Sequence, residues 1–283
     1  MDKQNIGILH PGEMGVSVAA SAQNSGHTIY WVSEGRSPQT RERAEKAGFV
    51  DALSLSQLCK TCSLIISVCP PASAEDVAHQ VLSCNFSGYY IDANAISPQR
   101  AIRIGEAMES SGVTFGDGGI IGGPAWKPKS TWLYLSGKDA HKAAIYFTAG
   151  PLETYVVGDA IGKASALKMC FAAYSKGTTA LLCAVLAAAE ALNVRAELEQ
   201  QWSRDGGRFA EEASQKIRQV TAKAWRFAGE MEEIAATLHQ AGMPDKFHIA
   251  AAEIYRRMGS FKDATITPSL EDVLTALLAS DQG

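Results

Sequence analysis

Glycines at positions 7, 12 and 15 punctuate the run Gly7-Ile8-Leu9-His10-Pro11-Gly12-Glu13-Met14-Gly15. Backbone N–H groups at the start of a helix, with no Cβ to hold a ligand off, can sit directly against phosphate oxygens. The spacing is that of a dinucleotide turn, except that a full G-x-G-x-x-G would have glycine at position 10, where this chain has His10. His10 either stacks on or hydrogen-bonds to a bound cofactor or simply fills the turn; Pro11, which already fixes the backbone there, favours the second. The expected pyrophosphate contacts are therefore His10, Pro11, Gly12, Glu13, Met14 and Gly15.

A second group of polar residues follows in Val32-Ser33-Glu34-Gly35-Arg36-Ser37-Pro38. An acid at this point of a dinucleotide fold takes the ribose 2′-hydroxyl of NAD, whereas an arginine takes the 2′-phosphate of NADP. Glu34 argues for the first, and Arg36 with the hydroxyls of Ser33 and Ser37 argues for the second. A guanidinium beside two hydroxyls makes a phosphate clamp, while Glu34 can point outward from a glycine-containing loop, so NADP is expected over NAD. Cys59-Lys60-Thr61-Cys62 has the spacing of half a zinc site, which Cys69, His79 or Cys84 could complete. Cys69 ends an apolar run and no second tight pair follows, so small buried side chains are expected and no metal is assigned.

These groups need elements to hold them. Ile6 to Leu9 reads as a strand, Val16 to Ala22 as a helix of small residues, and Thr28 to Val32 as a second strand: a βαβ unit of about 30 residues. Helix over Arg41 to Ala47, strand over Leu64 to Val68, helix over Ala74 to Leu82, strand over Tyr89 to Asp92 and helix over Pro98 to Ser110 continue the alternation. Strands at Val113 to Phe115 and Thr131 to Leu135 follow. Such alternation implies an α/β domain with a mainly parallel sheet covered on both faces. From Asp159, read as an N-cap, the texture becomes helical: a long Ala-rich helix to about Leu192, then Glu197 to Trp202, Arg208 to Ala228, Met231 to Ala241 and Asp245 to Met258. The division expected is a Rossmann-type dinucleotide-binding domain over 1–158 and an all-α domain over 159–283.

Composition agrees with this division. Eight of the 10 prolines lie at or before Pro151, and only 7 of the 25 glycines follow Gly162, so turns concentrate in the first half. The formal charge of -4 offers no basic field for a phosphate backbone, which argues against nucleic-acid binding. Ala180 to Ala189 is roughly half a membrane span and closes on Glu190, which reads as a buried helix. The first residues resemble no export signal, and six cysteines suggest reduced thiols, so a cytoplasmic location is expected.

On these residues the chain resembles the β-hydroxyacid dehydrogenases, the group of 3-hydroxyisobutyrate and 6-phosphogluconate dehydrogenases, and within it a branch with its own helical C-terminal domain. The likeness covers nearly the whole chain. It rests on the opening strand with Gly12-Glu13-Met14-Gly15, and on Ile65-Ile66-Ser67-Val68-Cys69-Pro70-Pro71, similar to the segment beside the nicotinamide. It rests also on Asp92-Ala93-Asn94-Ala95-Ile96-Ser97-Pro98, similar to D-x-S-T-x-x-P with Asn94 for serine. The resemblance implies cofactor contacts from Cys69, Pro70, Pro71 and Asn94, whose amide remains able to reach cofactor or substrate.

Asp117-Gly118-Gly119-Ile120-Ile121-Gly122-Gly123 is similar to the substrate loop D-A-P-V-S-G-G, with Ile121 in place of the serine. Gly122 and Gly123 would bind substrate through backbone N–H groups, and Trp126 close behind points to a less polar or bulkier substrate, or else packs with Ile121 at a domain junction. Gly158 to Lys168 resembles G-x-x-G-x-G-x-x-x-K, which implies that Lys168 is the catalytic lysine in an apolar, largely buried stretch. The asparagine that follows in relatives is missing at Phe171 and Ala172, and Ser175, on the face of Lys168, is the candidate replacement. Gly229-Glu230-Met231 stands where relatives have K-D-L, with Arg226 as a weak stand-in for its lysine.

The implied activity is an NADP-dependent oxidoreductase interconverting a secondary alcohol and a carbonyl, with Lys168 as general acid and base. Two alternatives stay open: an imine reductase or reductive aminase of the same architecture, and a nucleotide-binding protein that has lost catalysis. The expected partners are a small carbonyl or alcohol substrate and a second copy in a homodimer, since relatives dimerise and the apolar helical faces exceed what one small domain buries.

Overall fold

The computed structural model describes residues 2–262 and 264–279. The alternation read from the sequence folds as β1 (Asn5–Ile8), α1 (Glu13–Asn24), β2 (Thr28–Trp31), α2 (Pro38–Lys46), β3 (Val50–Asp51), α3 (Leu55–Thr61), β4 (Leu64–Ser67) and α4 (Ala74–Ser83). It continues as β5 (Tyr89–Asp92), α5 (Pro98–Ser110), β6 (Thr114–Gly122), β7 (Thr131–Ser136), α6 (Ala140–Ala144) and β8 (Glu153–Gly158). These strands form one sheet in the order β3-β2-β1-β4-β5-β6-β7-β8. Neighbours run parallel except β6 and β7. The order reverses direction beside β1, and the crevice that such a switch point opens lies at the carboxyl ends of the strands.

β4 and β5 are buried along their whole length, which is why they read as unbroken apolar runs. Their alternate residues feed two cores. Ile6, Ile8, Leu64, Ile66 and Ile91 pack with Val18 and Ala22 of α1 on one face. Ile65 and Tyr90 pack with Leu58, Val77 and Ile104 on the other.

Three elements carry no signal in the sequence. β3 is two residues long, β8 is only half-buried, and α3 holds Cys59, with Cys62 just past its end, within the second core. Asp117 to Gly122, expected as a loop, is instead the second half of β6. There β7 supplies hydrogen-bonding partners from Asp117↔Ser136 to Gly122↔Thr131 that a glycine-rich run does not advertise.

The described chain forms two compact units that part inside α7 (Lys163–Ala191), between Met169 and Cys170, whereas the sequence places its boundary at Gly158. Asp159, expected to cap α7, is exposed and precedes Gly162, whose φ of +95 turns the chain before the helix begins. The cap comes instead from Asp117, fully buried on β6. One carboxylate oxygen accepts from the amides of Gly162, Ala164 and Ser165 at 2.9, 3.0 and 3.1 Å and from the Ser136 hydroxyl at 2.8 Å. The other accepts from the Ser165 hydroxyl at 2.5 Å. A helix start that would otherwise bury its free amides is thereby satisfied across the sheet.

α7 is long and apolar enough to cross a bilayer. Ala164, Met169, Ala172, Ala180, Cys183 and Leu186 are nevertheless buried along it, as in a core helix.

In the second unit α8 (Arg195–Trp202), α9 (Phe209–Gln219), α10 (Ala224–Gln240), α11 (Lys246–Arg257) and α12 (Leu270–Leu278) join the later part of α7. The break expected after Ala228 falls instead at Thr221–Lys223, where the Thr221 hydroxyl donates back to the Arg218 carbonyl; α10 runs through Gly229 without interruption. α12, which the sequence reading omits, starts at a Ser269–Asp272 capping box. Lys176 is buried in an ion pair with Glu230, its Nζ 4.2 Å from the Phe227 ring centre, and its carbonyl accepts from the Tyr255 hydroxyl at 2.8 Å. Glu230 thus serves the packing of its own unit.

Asp117→Ala leaves three buried amides and two buried hydroxyls without their acceptor, and each such group costs about 1–3 kcal/mol. Some of these recover water or other partners, so a net loss of roughly 3 kcal/mol or more is expected, read as a lower urea midpoint at unchanged m-value. A midpoint within error of the wild type would show that α7 does not depend on this cap.

Candidate nucleotide and substrate site

Five mutually parallel strands deliver their following loops to one edge of the sheet: His10 to Gly15 after β1, Ser33 to Ser37 after β2, Cys69 to Pro71 after β4, Asn94 after β5, and Gly122 to Trp126 after β6. All the site residues expected from the sequence lie in the first unit except Ser175.

The glycines of the first turn divide their labour. A Cβ on Gly15 would come within 2.1 Å of the His10 carbonyl oxygen, so only glycine permits α1 to start this close to β1. A Cβ on Gly12 would meet nothing within 4 Å, and no side chain caps α1, so its first amides face open space. That uncapped helix start and its open cradle fit a pyrophosphate. Ser17, which the sequence reading passed over, donates to the Met14 carbonyl at 2.9 Å and accepts from the Ala125 amide at 2.8 Å, tying the loop after β6 to α1.

Beside this turn lies a cleft of about 150 Å³ with Leu9, Val32, Leu55 and Val77 as apolar lining and His10, Glu34, Arg36 and Gln80 as polar lining. Burial, and then Arg36, push the His10 imidazole down to about 4, so the ring is neutral at pH 7. Burial also lowers the Arg36 pKa, against the pull of nearby Cys69.

The two serines expected beside Arg36 are engaged elsewhere. The Ser37 Oγ caps α2, accepting from the Thr40 amide at 3.3 Å and lying 3.1 Å from the Thr40 hydroxyl. The Ser33 amide donates to the Asp51 carboxylate at 3.2 Å.

The Asn94 side chain is engaged within the protein. It is buried, and its amide group donates to Asp92 at 2.9 Å and Ser67 at 3.1 Å while its oxygen accepts from the Cys69 amide at 2.5 Å. Both amide hydrogens are therefore taken within the protein, and Asn94 shapes the Cys69-Pro70-Pro71 loop from behind. Burial pushes the Cys69 thiol up to about 12, so it forms wall rather than nucleophile. Burial also pushes the Asp92 carboxyl up to about 7, with the Asn94 donors pulling the other way. Asp117 is likewise raised by burial and pulled back by Ser165.

Lys168 stands at this edge because α7 lies against β6. A Cβ on Gly119 would come within 2.6 Å of the Ala164 carbonyl oxygen and 3.0 Å of the Lys168 Cβ. Gly118 in turn abuts Ala93, the residue before Asn94. Lys168 is half-buried, and its helical neighbours are wetter than the sequence suggests, with Leu167 38% and Phe171 47% exposed. Gly122 is pinned by its φ of +115 and by the Ser130 carbonyl, whereas Gly123 is open. Ile121 is buried, and Trp126 is 57% exposed, so it is not packing in the first unit. Ser175 belongs to the second unit, two turns beyond Lys168 on α7, with its carbonyl accepting from Thr178 and Thr179.

A doubly wound sheet with an uncapped, glycine-cradled helix start at its switch point defines a Rossmann-type dinucleotide-binding domain. Residues 5–146 match the NAD binding domain of 6-phosphogluconate dehydrogenase, and the chain belongs to that family. Residues 189–258 match a domain of unknown function, DUF1932.

An uncharacterised 28.5 kDa protein of Methanothermus fervidus is 34% identical over 166 residues, 58% of this chain and 63% of that protein. The mitochondrial 3-hydroxyisobutyrate dehydrogenase of Drosophila melanogaster is 25% identical over 137 residues, 47% of this chain and 42% of that enzyme. The matched stretches thus span less than two thirds of either relative. Among solved structures, a conserved protein of unknown function described as similar to 3-hydroxyacid dehydrogenases shares 26% identity, with a TM-score of 0.66 over 97% of this chain and 100% of its own. The 3-hydroxyisobutyrate dehydrogenase of Mycobacterium tuberculosis shares the fold at 17% identity, with a TM-score of 0.70 over 98% of this chain and 100% of its own.

The Asp92 carboxyl gives a test of this loop framework. Its folded pKa of about 7 lies above the ordinary 3.8, so the folded protein holds a proton that the unfolded chain releases. Its contribution to stability is full below about pH 4 and is lost as pH rises towards and through 7. Asp92→Asn, whatever its pH-independent cost, should lose less of its urea midpoint between pH 5 and pH 8 than the wild type does. Equal losses would place the ionisation of Asp92 outside the folding equilibrium.

Proposed function

We propose that this protein is an NADP(H)-dependent oxidoreductase that interconverts a secondary alcohol and a carbonyl, with Lys168 handling the proton. The observation that carries this reading is the seating of Lys168 against Gly119 by the Asp117-capped α7, at the sheet edge that bears the nucleotide loops. The dehydrogenase relative and the family membership point the same way.

The bound nicotinamide supplies or accepts the hydride. The amides at the start of α1, with Gly12 leaving room, hold the pyrophosphate; Arg36 faces the adenosine end; Cys69, Pro70 and Pro71 wall the opposite end of the cofactor. Gly123 offers open backbone to a substrate oxygen, beside the exposed Trp126. The Lys168 Nζ gives a proton to the carbonyl oxygen during reduction and takes it back during oxidation. Ser175, on the same face of α7, is the polar group in place of the asparagine of relatives. NADP over NAD is supported by Arg36, whose buried Nε has no partner among the described residues, while Glu34 is exposed at the rim of the cleft. Six free thiols suit a reducing cytoplasm.

Lys168→Ala should lower turnover on the order of 10²- to 10⁴-fold while NADPH affinity by calorimetry stays within about twofold. Wild-type turnover in the variant would overturn the assignment. In a substrate panel, reduction of cyclic imines but not of carbonyls would point to a reductive aminase instead. Tight NADPH binding without any turnover would point to a binding protein that has lost catalysis.

The same reading includes a homodimer. Leu167, Phe171, Tyr174 and Leu181 form one stripe on α7 and are 38%, 47%, 75% and 47% exposed. Light scattering at micromolar concentration is expected to give twice the chain mass, and Tyr174→Glu with Leu181→Glu to halve it. A wild-type monomer would refute the dimer.

A further inference from the structure

We propose that His10, in the place of the first glycine of the dinucleotide motif, is a direct ligand of the phosphate on the adenosine 2′-oxygen and sets cofactor choice together with Arg36. The inference rests on the NADP reading above and assigns the second donor of that site.

Two nitrogens in the cleft beside β1 and β2 are buried from solvent and lack a partner among the described residues: His10 Nδ1 and Arg36 Nε. A buried polar atom left unpaired costs about 1–3 kcal/mol, so two in one cleft are unfavourable until an acceptor arrives from outside. The guanidinium can only donate, and the neutral imidazole donates from Nδ1 in one of its two tautomers. Glu34 is the carboxylate lining the cleft and is exposed. Leu55 of α3 and Val77 and Gln80 of α4 contribute no charge to it.

The position of this pair defines the ligand class. The loops after β1 and β2 of a doubly wound sheet flank the adenosine ribose of a bound dinucleotide. An anion received there by a guanidinium and an imidazole is a ribose 2′-phosphate, since an unphosphorylated ribose presents a neutral hydroxyl that calls for an acceptor. Ser33 and Ser37, the hydroxyls closest to Arg36 in sequence, do not line this cleft, and Ser37 Oγ caps α2; His10 lines it with Arg36. A glycine at position 10 would leave Arg36 as the single charged or aromatic donor facing the phosphate.

The test is calorimetric titration of the protein with adenosine 2′,5′-bisphosphate and with adenosine 5′-monophosphate, which differ only in the 2′-phosphate. Wild type should bind the bisphosphate at least about 10-fold more tightly than the monophosphate, the scale of a charge-assisted hydrogen-bond pair. His10→Gly, which restores the glycine motif, and His10→Ala should each lose most of that preference, read as the ratio of the two affinities. Retention of the full preference in both variants, or equal weakening of both ligands, overturns the role of His10 and leaves the NADP reading standing on Arg36. A wild type that binds the two ligands equally overturns the NADP reading itself, and this inference with it.

Discussion

The carboxylate of Asp117 is the constraint on which the first unit depends. It sits fully buried in the middle of β6, yet beyond Ser136 the partners of its side chain described above belong to the turn and first residues of α7. A helix that enters a core brings free amides with it, and those amides need an acceptor or the helix cannot stay there. Asp117 supplies that acceptor, and in doing so fixes the height and rotation of α7 against the sheet. Gly118 and Gly119, next in line, keep the strand bare so that Ala93 and the Ala164–Lys168 turn can close on it. The lysine is thus placed by a buried acid at one point and by two missing side chains at the next.

Around this anchor, several polar residues expected to touch ligands are engaged in the scaffold. Asn94 uses its whole side chain on Asp92, Ser67 and the Cys69 amide, so the Cys69-Pro70-Pro71 loop is set from beneath. Ser37 and Ser33 likewise stabilise α2 and the β2–β3 connection. Polar groups in such positions are worth more as scaffold than as ligands because, once buried, an unsatisfied hydroxyl or amide is costly in itself. Among the buried polar atoms left unsatisfied in the described residues, His10 Nδ1 and Arg36 Nε share one cleft.

The departures from the family pattern concentrate where backbone or packing is at stake. Ile121 is buried in the sheet and cannot replace a substrate-facing serine, and Ala172 is buried on α7 where relatives carry asparagine. On the proposed reading, the site would offer fewer polar side chains and more of the open backbone at Gly123 beside the exposed Trp126.

Much of the fold was legible in the chain itself, because local rules dominate there. Short apolar runs, glycine turns and the helix start at Ser97-Pro98 specify strands and helices without outside help, although the start of α2 at Pro38 lies ahead of the expected Arg41. Elements stabilised by neighbours rather than by their own residues were not legible: two-residue β3, half-buried β8, and the glycine-rich second half of β6. The break at Thr221 rather than Gly229 belongs with them. The candidate site divided in the same way. The uncapped helix start at Gly12 follows from spacing alone, since only backbone is involved. That Asp117 rather than Asp159 caps α7, that Asn94 is fully engaged, and that His10 and Arg36 face one cleft depend on which side chains meet across the sheet. Hydrogen bonds between residues dozens of positions apart leave no periodic trace in a sequence; only the tertiary structure decides them.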